Sequence, residues 1–412
     1  MKELVQYEKQ NFATFTANQI LMRIGWVFKI DSVIVPAFLD THSASDAVRG
    51  FLPISFRLVQ SLAQFFLAQR VAQTPFKQPL FTTAVFGIMV SWSLVAIVAG
   101  GSWLPSSVVV LLFLALYTFQ CFALGCERLV SGTLRGKLIR AEKRGSLLGN
   151  ANSIGSILAI AVACRLMYEW LGGETPRYSA VFGAAALCYG LAAIVSLYFV
   201  ESPSPPQQSQ PFLRSLREGL LLLRSDRHLR QFAIVAVLSF SSWVLFPHYT
   251  IFGKRVLGVE STHFVVWIIV LNCATALGSW LTGRIADRRG NRLVLRILLL
   301  LSACTPFAAI AISRITFGAK LYWLIYIPLG MAPVLPRIIE NYTLEISTEK
   351  KHPQYLGVVS LLEACSLLVS PLVGLFISKV SFEPVFLGGG VLIATAALLT
   401  FRLAEPRFSG AR

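Results

Sequence analysis

The chain has 412 residues, of which 55% are hydrophobic and only 14% are charged, and its mean hydropathy is +0.66. A soluble protein of this length carries about 25% charged residues, so the composition excludes an ordinary soluble domain. The net charge of +17 lies in short clusters between apolar runs. That distribution fits a membrane surface and argues against nucleic-acid binding.

Apolar runs of about 20 residues recur along the whole chain, and each is long enough to cross the hydrocarbon layer as a helix. We therefore predict an all-α integral membrane protein with twelve transmembrane helices. The predicted spans cover residues 16–40, 48–69, 80–100, 106–130, 147–169, 178–200, 231–252, 262–283, 293–313, 321–344, 356–378 and 384–403.

The lysines and arginines between the spans predict the orientation. With the N-terminus in the cytoplasm, the inside segments hold 24 of these residues and the outside segments hold 7. Cytoplasmic loops carry the excess of basic residues in membrane proteins. We therefore expect an integral plasma-membrane protein, in the bacterial inner membrane, with both termini in the cytoplasm.

The longest interval between predicted spans is 201–230. It opens with several prolines, glutamines and serines, and continues with leucines at helical spacing between arginines. This composition predicts a linker followed by an amphipathic helix on the anionic leaflet. The predicted domains are an N-terminal six-helix bundle (1–200), a cytoplasmic linker (201–230) and a C-terminal six-helix bundle (231–412).

The two halves resemble each other weakly. A basic stretch followed by a Leu-Gly pair precedes the fifth predicted span at 142–149 and the eleventh at 349–357. Parallel repeats of six spans are a known plan for transporters, so this pattern favours two related bundles.

The loop after the eighth predicted span reads Gly283-Arg284-Ile285-Ala286-Asp287-Arg288-Arg289-Gly290-Asn291-Arg292. It resembles the signature loop of the major facilitator superfamily, Gly-x-Leu-Ala-Asp-Arg-x-Gly-Arg-Arg, and lies where that family carries its second copy. The first copy, at 65–73, keeps Leu67, Ala68 and Arg70 but replaces the family's Gly, Asp and second Gly. The resemblance implies two six-helix bundles that carry a solute by alternating access.

A conformational latch is expected at this loop. Asp287 is able to pair with arginines or to lie at a helix N-terminus, and glycines permit tight turns. The alternative is a basic loop that only fixes the topology. The latch candidates are Gly283, Asp287, Arg288, Gly290 and Arg292, with Arg144 in the basic loop before the fifth span.

Charged residues within the spans are the candidates for substrate binding and ion coupling. A charge at bilayer depth costs on the order of 3 kcal/mol or more, so each needs a partner or a water-filled cavity. In a continuous helix Lys29 and Asp31 lie on different faces, whereas Arg337 and Glu340 share one face. The alternative is a set of ion pairs that only hold helices in register. The candidates are Lys29, Asp31, Arg57, Arg337, Glu340 and Glu363.

These candidates predict a secondary transporter for a small molecule, coupled to protons or another ion. A buried acid is able to take up and release a proton, and an arginine binds an anionic group. Basic residues outnumber acidic ones inside the spans, which favours an anionic or zwitterionic substrate. We expect a monomer in the lipid bilayer, without catalytic residues, cofactor, metal or nucleic acid, and therefore not an enzyme.

Two alternatives stay open. One is a drug or multisubstrate efflux antiporter, although the proline that such exporters carry in the fifth helix is missing and Gln120 stands where they place an arginine. The other is a transport-inactive relative that acts as a sensor or assembly factor, which the degenerate first loop favours.

Overall fold

The computed structural model describes residues 2–42, 44–101, 104–172, 175–203, 212–260, 262–347 and 351–405. Within these ranges the regular secondary structure is helical throughout. The helices are α1 Lys2–Val27, α2 Ile34–Thr41, α3 Asp46–Gln73, α4 Gln78–Gly100, α5 Ser106–Leu138, α6 Ala141–Val162, α7 Tyr178–Ser196, α8 Phe212–Ser225, α9 Arg227–Leu257, α10 His263–Arg289, α11 Asn291–Ser313, α12 Gly318–Ile346, α13 Gln354–Lys379 and α14 Phe382–Arg402. A π-turn and one further helical turn extend α6 to Leu171.

Eleven helices in the described part of the chain are long and apolar enough to cross a membrane by length and composition. They correspond to the second through twelfth predicted spans. The first predicted span, 16–40, is divided instead, because α1 ends at Val27 and α2 begins at Ile34. The expectation of one continuous first helix is therefore wrong.

The amphipathic helix predicted in the linker is present as α8. The proline-containing part of that linker, residues 204–211, lies outside the described residues.

The chain forms two compact units. Unit 1 contains Met1–Ala44, Ser55–Ser209 and Ser261–Ile269, and unit 2 contains Ser45–Ile54, Gln210–Glu260 and Val270–Arg412. Residues 45–54 thus belong to unit 2 although they lie in the N-terminal half, and residues 261–269 belong to unit 1 although they lie in the C-terminal half. The predicted bundle boundaries at residues 200 and 230 stay a prediction.

Unit 1 is built on α4, which packs along both α5 and α7, and on α1, which packs against α6 and α7. A buried cluster of apolar side chains joins these helices at one end, with Phe15, Phe81 and Phe199 in ring contact at its centre. In unit 2, α11 packs along α14, and the first turns of α3 pack against the end of α13.

Carboxylates hold the helix ends of unit 1. Glu8 of α1 is 3% exposed and accepts hydrogen bonds from the backbone N–H of Arg140 (3.2 Å), from Arg140 Nε (3.0 Å) and from Lys143 Nζ (3.0 Å). Glu201, after α7, accepts from the backbone N–H groups of Lys77 and Gln78 and from Lys137 Nζ, each at 2.7 Å. Both carboxylates thus lie at helix N-termini, where negative charge is favoured.

Unit 2 has acids in comparable places. Asp226 caps α9 by accepting from the backbone N–H groups of His228 (2.8 Å) and Leu229 (3.1 Å), and Tyr355 donates its hydroxyl to the same carboxylate. Burial raises the pKa of Asp226, but these hydrogen bonds outweigh it and leave the pKa below its ordinary value. After α14, Glu405 pairs with Arg292.

Candidate functional site

The interruption of the first span creates the most distinctive polar site of unit 1. Residues 28–33 form turns between α1 and α2, and Phe28, Ile30 and Val33 are buried there. Pro36 lies in the first turn of α2, where its missing N–H is harmless, while a helix running through would place its ring against the carbonyl of Ser32. The helix therefore stops and restarts, which releases the backbone around Lys29 and Asp31 from helical geometry.

Lys29 and Asp31 form an ion pair in this turn. Nζ of Lys29 lies 3.1 Å from Oδ2 and 3.4 Å from Oδ1 of Asp31. The Tyr117 hydroxyl donates to Oδ1 at 2.7 Å. Lys29 is 1% exposed and Tyr117 is fully buried, whereas the Asp31 side chain keeps 16% exposure. The expectation that Lys29 and Asp31 lie on different helix faces is wrong, because no helix passes through them.

Aromatic and polar side chains from α3 and α5 surround the pair. The turn Ser55–Val59 of α3 is wound as a π-helix, a form that often marks functional sites. Its Phe56 ring lies 5.5 Å from Lys29 Nζ and 5.7 Å from Arg128 Cζ. Arg57, a predicted site residue, is half-buried in the same turn. The π-turn therefore brings cationic groups of unit 1 around one aromatic ring.

Gln120 of α5 is fully buried one turn below Tyr117. Its Oε1 lies 3.6 Å from the Cys121 thiol, and its Nε2 has no hydrogen-bond partner within the described part of the chain. An amide donor left unsatisfied in the interior is destabilising unless a ligand or water completes it. Gln120 thus extends the site that Lys29, Asp31 and Tyr117 define.

The three other predicted site residues belong to unit 2. Arg337 and Glu340 are exposed on α12, and no ion pair joins them among the described residues. Glu363 of α13 is buried, with 5% exposure. Their roles in substrate binding and coupling stay predictions.

A second ion cluster in unit 2 was not anticipated from the sequence. Asp46, at the start of α3, accepts hydrogen bonds from Arg49 Nε (3.0 Å) and from Arg255 Nη1 (3.1 Å), and the Ser378 hydroxyl lies 3.3 Å from its Oδ2. Arg49 is fully buried and Asp46 is 4% exposed. Only the i,i+3 spacing of Asp46 and Arg49 carried a signal, because Arg255 and Ser378 are remote in sequence.

His248 of α9 lies in the same part of unit 2. It is fully buried, and neither ring nitrogen has a hydrogen-bond partner within the described residues. On the next two residues of α9, the backbone carbonyl of Tyr249 accepts from the Tyr322 hydroxyl (2.8 Å) and the Thr250 hydroxyl lies 2.9 Å from that of Tyr326. Polar side chains thus link α9 to α12.

The predicted latch loop joins α10 to α11. Gly290 adopts a left-handed backbone with φ 86°, and a Cβ there would collide with the carboxylate of Glu405. Arg292 Nε lies 3.3 Å from that carboxylate, and Arg292 Nη1 donates to the carbonyl of Leu403 at 2.8 Å.

Of the other latch candidates, Gly283 and Arg288 are exposed. The side chains of Asp287 and Arg144 lie outside the described residues. Their predicted contacts, and the latch itself, stay predictions.

A family model described as Major Facilitator Superfamily matches residues 19–339. No curated protein matches the chain. Among solved structures, the chain is similar to a D-xylose-proton symporter, with 15% identity, 98% of each chain covered and a TM-score of 0.68. It is also similar to the nucleoside transporter NupG, with 11% identity, 95% of this chain and 99% of that chain covered and a TM-score of 0.72.

A third solved structure, a bacterial homologue of the human lysosomal transporter Spinster, has 15% identity, 97% of each chain covered and a TM-score of 0.63. At these identities the likeness concerns the fold alone. Together with the helices described above, it confirms the predicted all-α membrane fold of twelve helices.

Proposed function

The chain belongs to the Major Facilitator Superfamily, and on that premise we propose that it carries a small anionic or zwitterionic solute across the membrane, coupled to protons. The observation that carries this proposal is the ion pair of Lys29 and Asp31 with the Tyr117 hydroxyl. Two opposite charges at bilayer depth each need a partner, and Asp31 is partly exposed. A proton or a charged solute is therefore able to reach the pair and replace one of its contacts.

The burial of Lys29 dictates how the exchange works. An ammonium that is 1% exposed needs a negative partner at all times, because an unpaired buried charge costs several kcal/mol. A proton that neutralises Asp31 removes this partner. A carboxylate or phosphate on the solute replaces it, so proton and anion are expected to bind together.

The surroundings of the pair favour the same assignment. Arg57 and Arg128 carry the same charge as Lys29 and draw an anion toward Phe56. Gln120 supplies a further donor for a polar group of the solute. One protein of similar fold is a symporter that couples D-xylose to protons, which supports proton coupling here.

The ion clusters of unit 2 are proposed to act in the conformational cycle. Asp46 and Arg255 hold the first turns of α3 within unit 2, while the chain continues from Ser55 in unit 1. Arg292 and Glu405 form the corresponding contact at the latch loop. Alternating access moves one bundle against the other largely as a rigid body, so these contacts are expected to hold the helix ends of unit 2 together through the cycle.

The test is proton-coupled uptake by the purified protein in liposomes that contain a pH-sensitive dye. The panel comprises monocarboxylates, dicarboxylates, amino acids, sugar phosphates, neutral sugars and nucleosides. An anionic or zwitterionic solute is expected to bring protons with it. Asp31→Asn is expected to abolish coupled uptake but retain solute exchange, and Lys29→Gln to lose both.

Glu383→Gln is the matched control, because it removes a carboxylate from an exposed ion pair with Arg314 elsewhere in the chain. It is expected to transport like the unmodified protein. Uptake that persists unchanged in the double variant Asp31→Asn/Glu363→Gln contradicts the proposed coupling.

One observation favours a different function. The degenerate loop at 65–73 lacks the family's Asp and glycines. A sensor or assembly factor that does not transport has no need of these residues. A transport-inactive protein of this kind is expected to carry no solute of the panel, even though the unmodified protein and its variants are folded. Movement of one solute of the panel, lost in Lys29→Gln, argues against this alternative, whereas thermal stabilisation without movement is what a sensor predicts.

A further inference from the structure

An open groove of about 500 Å³ lies in unit 2 where α8, α9 and α13 meet. Its size is within the range of small-molecule sites. Leu223 and Arg224 of α8 form one wall, Leu362 of α13 lies opposite, and α9 supplies the floor. None of these residues belongs to the proposed transport site.

The floor of the groove has a charged end and an apolar end. Arg230, Ala233, Ile234, Val237 and Leu238 recur at i, i+3, i+4, i+7 and i+8, so they form one stripe of α9. The stripe runs about 12 Å from its arginine into the apolar part of the span. Ile234 is 49% exposed, so the stripe is accessible from outside the protein.

Two arginines stand at the charged end. Arg224 and Arg230 are both exposed, and Arg230 Nη1 donates to the backbone carbonyl of Arg224 at 3.2 Å. This hydrogen bond holds the guanidinium at the C-terminus of α8. Within the described part of the chain, Nε and Nη2 of Arg230 make no hydrogen bond. These N–H groups are the ones that would bind a phosphate, which guanidinium groups hold through paired hydrogen bonds.

We propose that this groove binds one phospholipid with an anionic headgroup, whose phosphate contacts Arg224 and Arg230 and whose acyl chain follows the apolar stripe. A soluble anion gains nothing from the apolar floor. A zwitterionic lipid such as phosphatidylcholine carries the same phosphate, but the two arginines repel its choline cation, so an anionic headgroup is preferred. The position fits as well, because the groove lies where an amphipathic helix meets the beginning of a membrane span. The bound lipid would tie α8 to α9 and α13.

The test is native mass spectrometry of the full-length protein in detergent, titrated with phosphatidylglycerol or with phosphatidylcholine of the same acyl chains. One phosphatidylglycerol is expected to bind more tightly than phosphatidylcholine. The double variant Arg224→Gln/Arg230→Gln is expected to bind it about 25-fold more weakly, because each arginine near an anionic headgroup contributes about fivefold.

The matched control is Arg217→Gln/Arg227→Gln, which removes two exposed arginines from the same helices outside the groove. It is expected to keep the tight site, and an equal loss would show diffuse surface charge and overturn the proposal. Ile234→Gln tests the acyl chain and is expected to weaken both lipids, with an unchanged helical circular dichroism spectrum. Competition by soluble glycerol phosphate at the lipid's own concentration would assign the groove to a free anion and also overturn the proposal.

Discussion

Lys29 is the residue on which the energetics of the candidate site depend. Its ammonium is almost fully removed from solvent, and the carboxylate of Asp31 balances its charge. The Tyr117 hydroxyl donates a hydrogen bond to the same carboxylate. Removing one partner of such a pair leaves an uncompensated charge, whereas removing both leaves a neutral site. The pair therefore behaves as a unit, in stability as well as in transport.

The first prediction is a double-mutant cycle on this pair. Asp31→Asn is expected to destabilise the protein by about 3 kcal/mol, the lower end for breaking a buried pair, since Asp31 keeps some exposure. Lys29→Met/Asp31→Asn is expected to recover most of that loss. Thermal unfolding in detergent, followed by intrinsic fluorescence, measures Asp31→Asn, Lys29→Met and the double variant against the unmodified protein.

The exposed pair of Arg314 and Glu383 is the control for this cycle, because its side chains are 68% and 42% exposed. Glu383→Gln is expected to change stability by less than about 1 kcal/mol. Losses that simply add in the double variant of Lys29 and Asp31 would contradict the coupling of the two charges.

Glu8 gives a pH-dependent contribution to stability. The hydrogen bond from Arg140, helped by Lys143 and opposed by burial, lowers the pKa of Glu8 from 4.5 to about 2. Because the pKa in the folded protein lies below that in the unfolded chain, the stabilisation is fully present above pH 4.5. It is lost as the pH falls from there toward 2.

We therefore expect Glu8→Gln to lower the melting temperature at pH 7 and to make the decline below pH 4.5 shallower than in the unmodified protein. Melting curves between pH 7 and pH 3 provide the measurement. Glu260→Gln, which removes an exposed carboxylate of unit 2, is expected to leave the pH profile unchanged. Parallel profiles for Glu8→Gln and the unmodified protein would show that Glu8 does not titrate as described.

At the scale of helices, interruptions and close approaches place the functional groups. The turn at 28–33 and the π-turn Ser55–Val59 position the charges and the ring around Lys29. In unit 2, the first turns of α3 approach the end of α13 so closely that glycine is required. A Cβ at Gly50 would lie 2.9 Å from Cα of Pro371, and one at Gly374 would lie 2.9 Å from Cα of Ala47.

We predict that Gly50→Ala and Gly374→Ala each destabilise the protein by about 1–3 kcal/mol, the usual effect of overpacking where backbones meet. The added methyl group separates the helices and weakens the contact between Asp46 and Ser378. Melting temperature is the measurement. Gly388→Ala in α14 is the control, because a Cβ there meets nothing within 4 Å and alanine favours the helix. A Gly50→Ala protein as stable as this control would contradict the close approach.

Hydropathy predicted the helices well, because a run of apolar residues leaves few alternatives in lipid. It failed at 28–33, where Pro36 was the available signal inside an otherwise apolar run. The partners of Asp31 and Asp46 were beyond its reach. Tyr117 and Arg255 lie on other helices far along the chain, and residue type alone does not say which buried polar groups meet.

At the scale of the whole chain, both halves of the sequence repeat one arrangement of acids. Glu8 lies within the first helix of the N-terminal half and contacts Arg140, just before the fifth span. Asp226 lies just before the first helix of the C-terminal half and contacts Tyr355, at the beginning of the eleventh span, which is the fifth of that half. Glu201 and Glu405 follow the last helix of each half and reach the start of its third. The similarity between the loops at 142–149 and 349–357 therefore accompanies a repeat of acidic residues at the helix ends of both halves. Its acids were not recognised in the sequence, because single carboxylates at helix ends carry no motif.

Such a repeat favours entry of both halves into the membrane from the same side, and the excess of basic residues between the spans predicts that this side is the cytoplasm. We therefore predict that Lys9→Cys, His228→Cys and Arg402→Cys, introduced singly into a cysteine-free background, react with an impermeant maleimide only after cells are permeabilised. Glu260→Cys is expected to react in intact cells. All four positions are exposed, so accessibility to water does not distinguish them. Labelling of Lys9→Cys and Arg402→Cys from opposite sides would mean an odd number of crossings, and the twofold plan of the molecule would then be wrong.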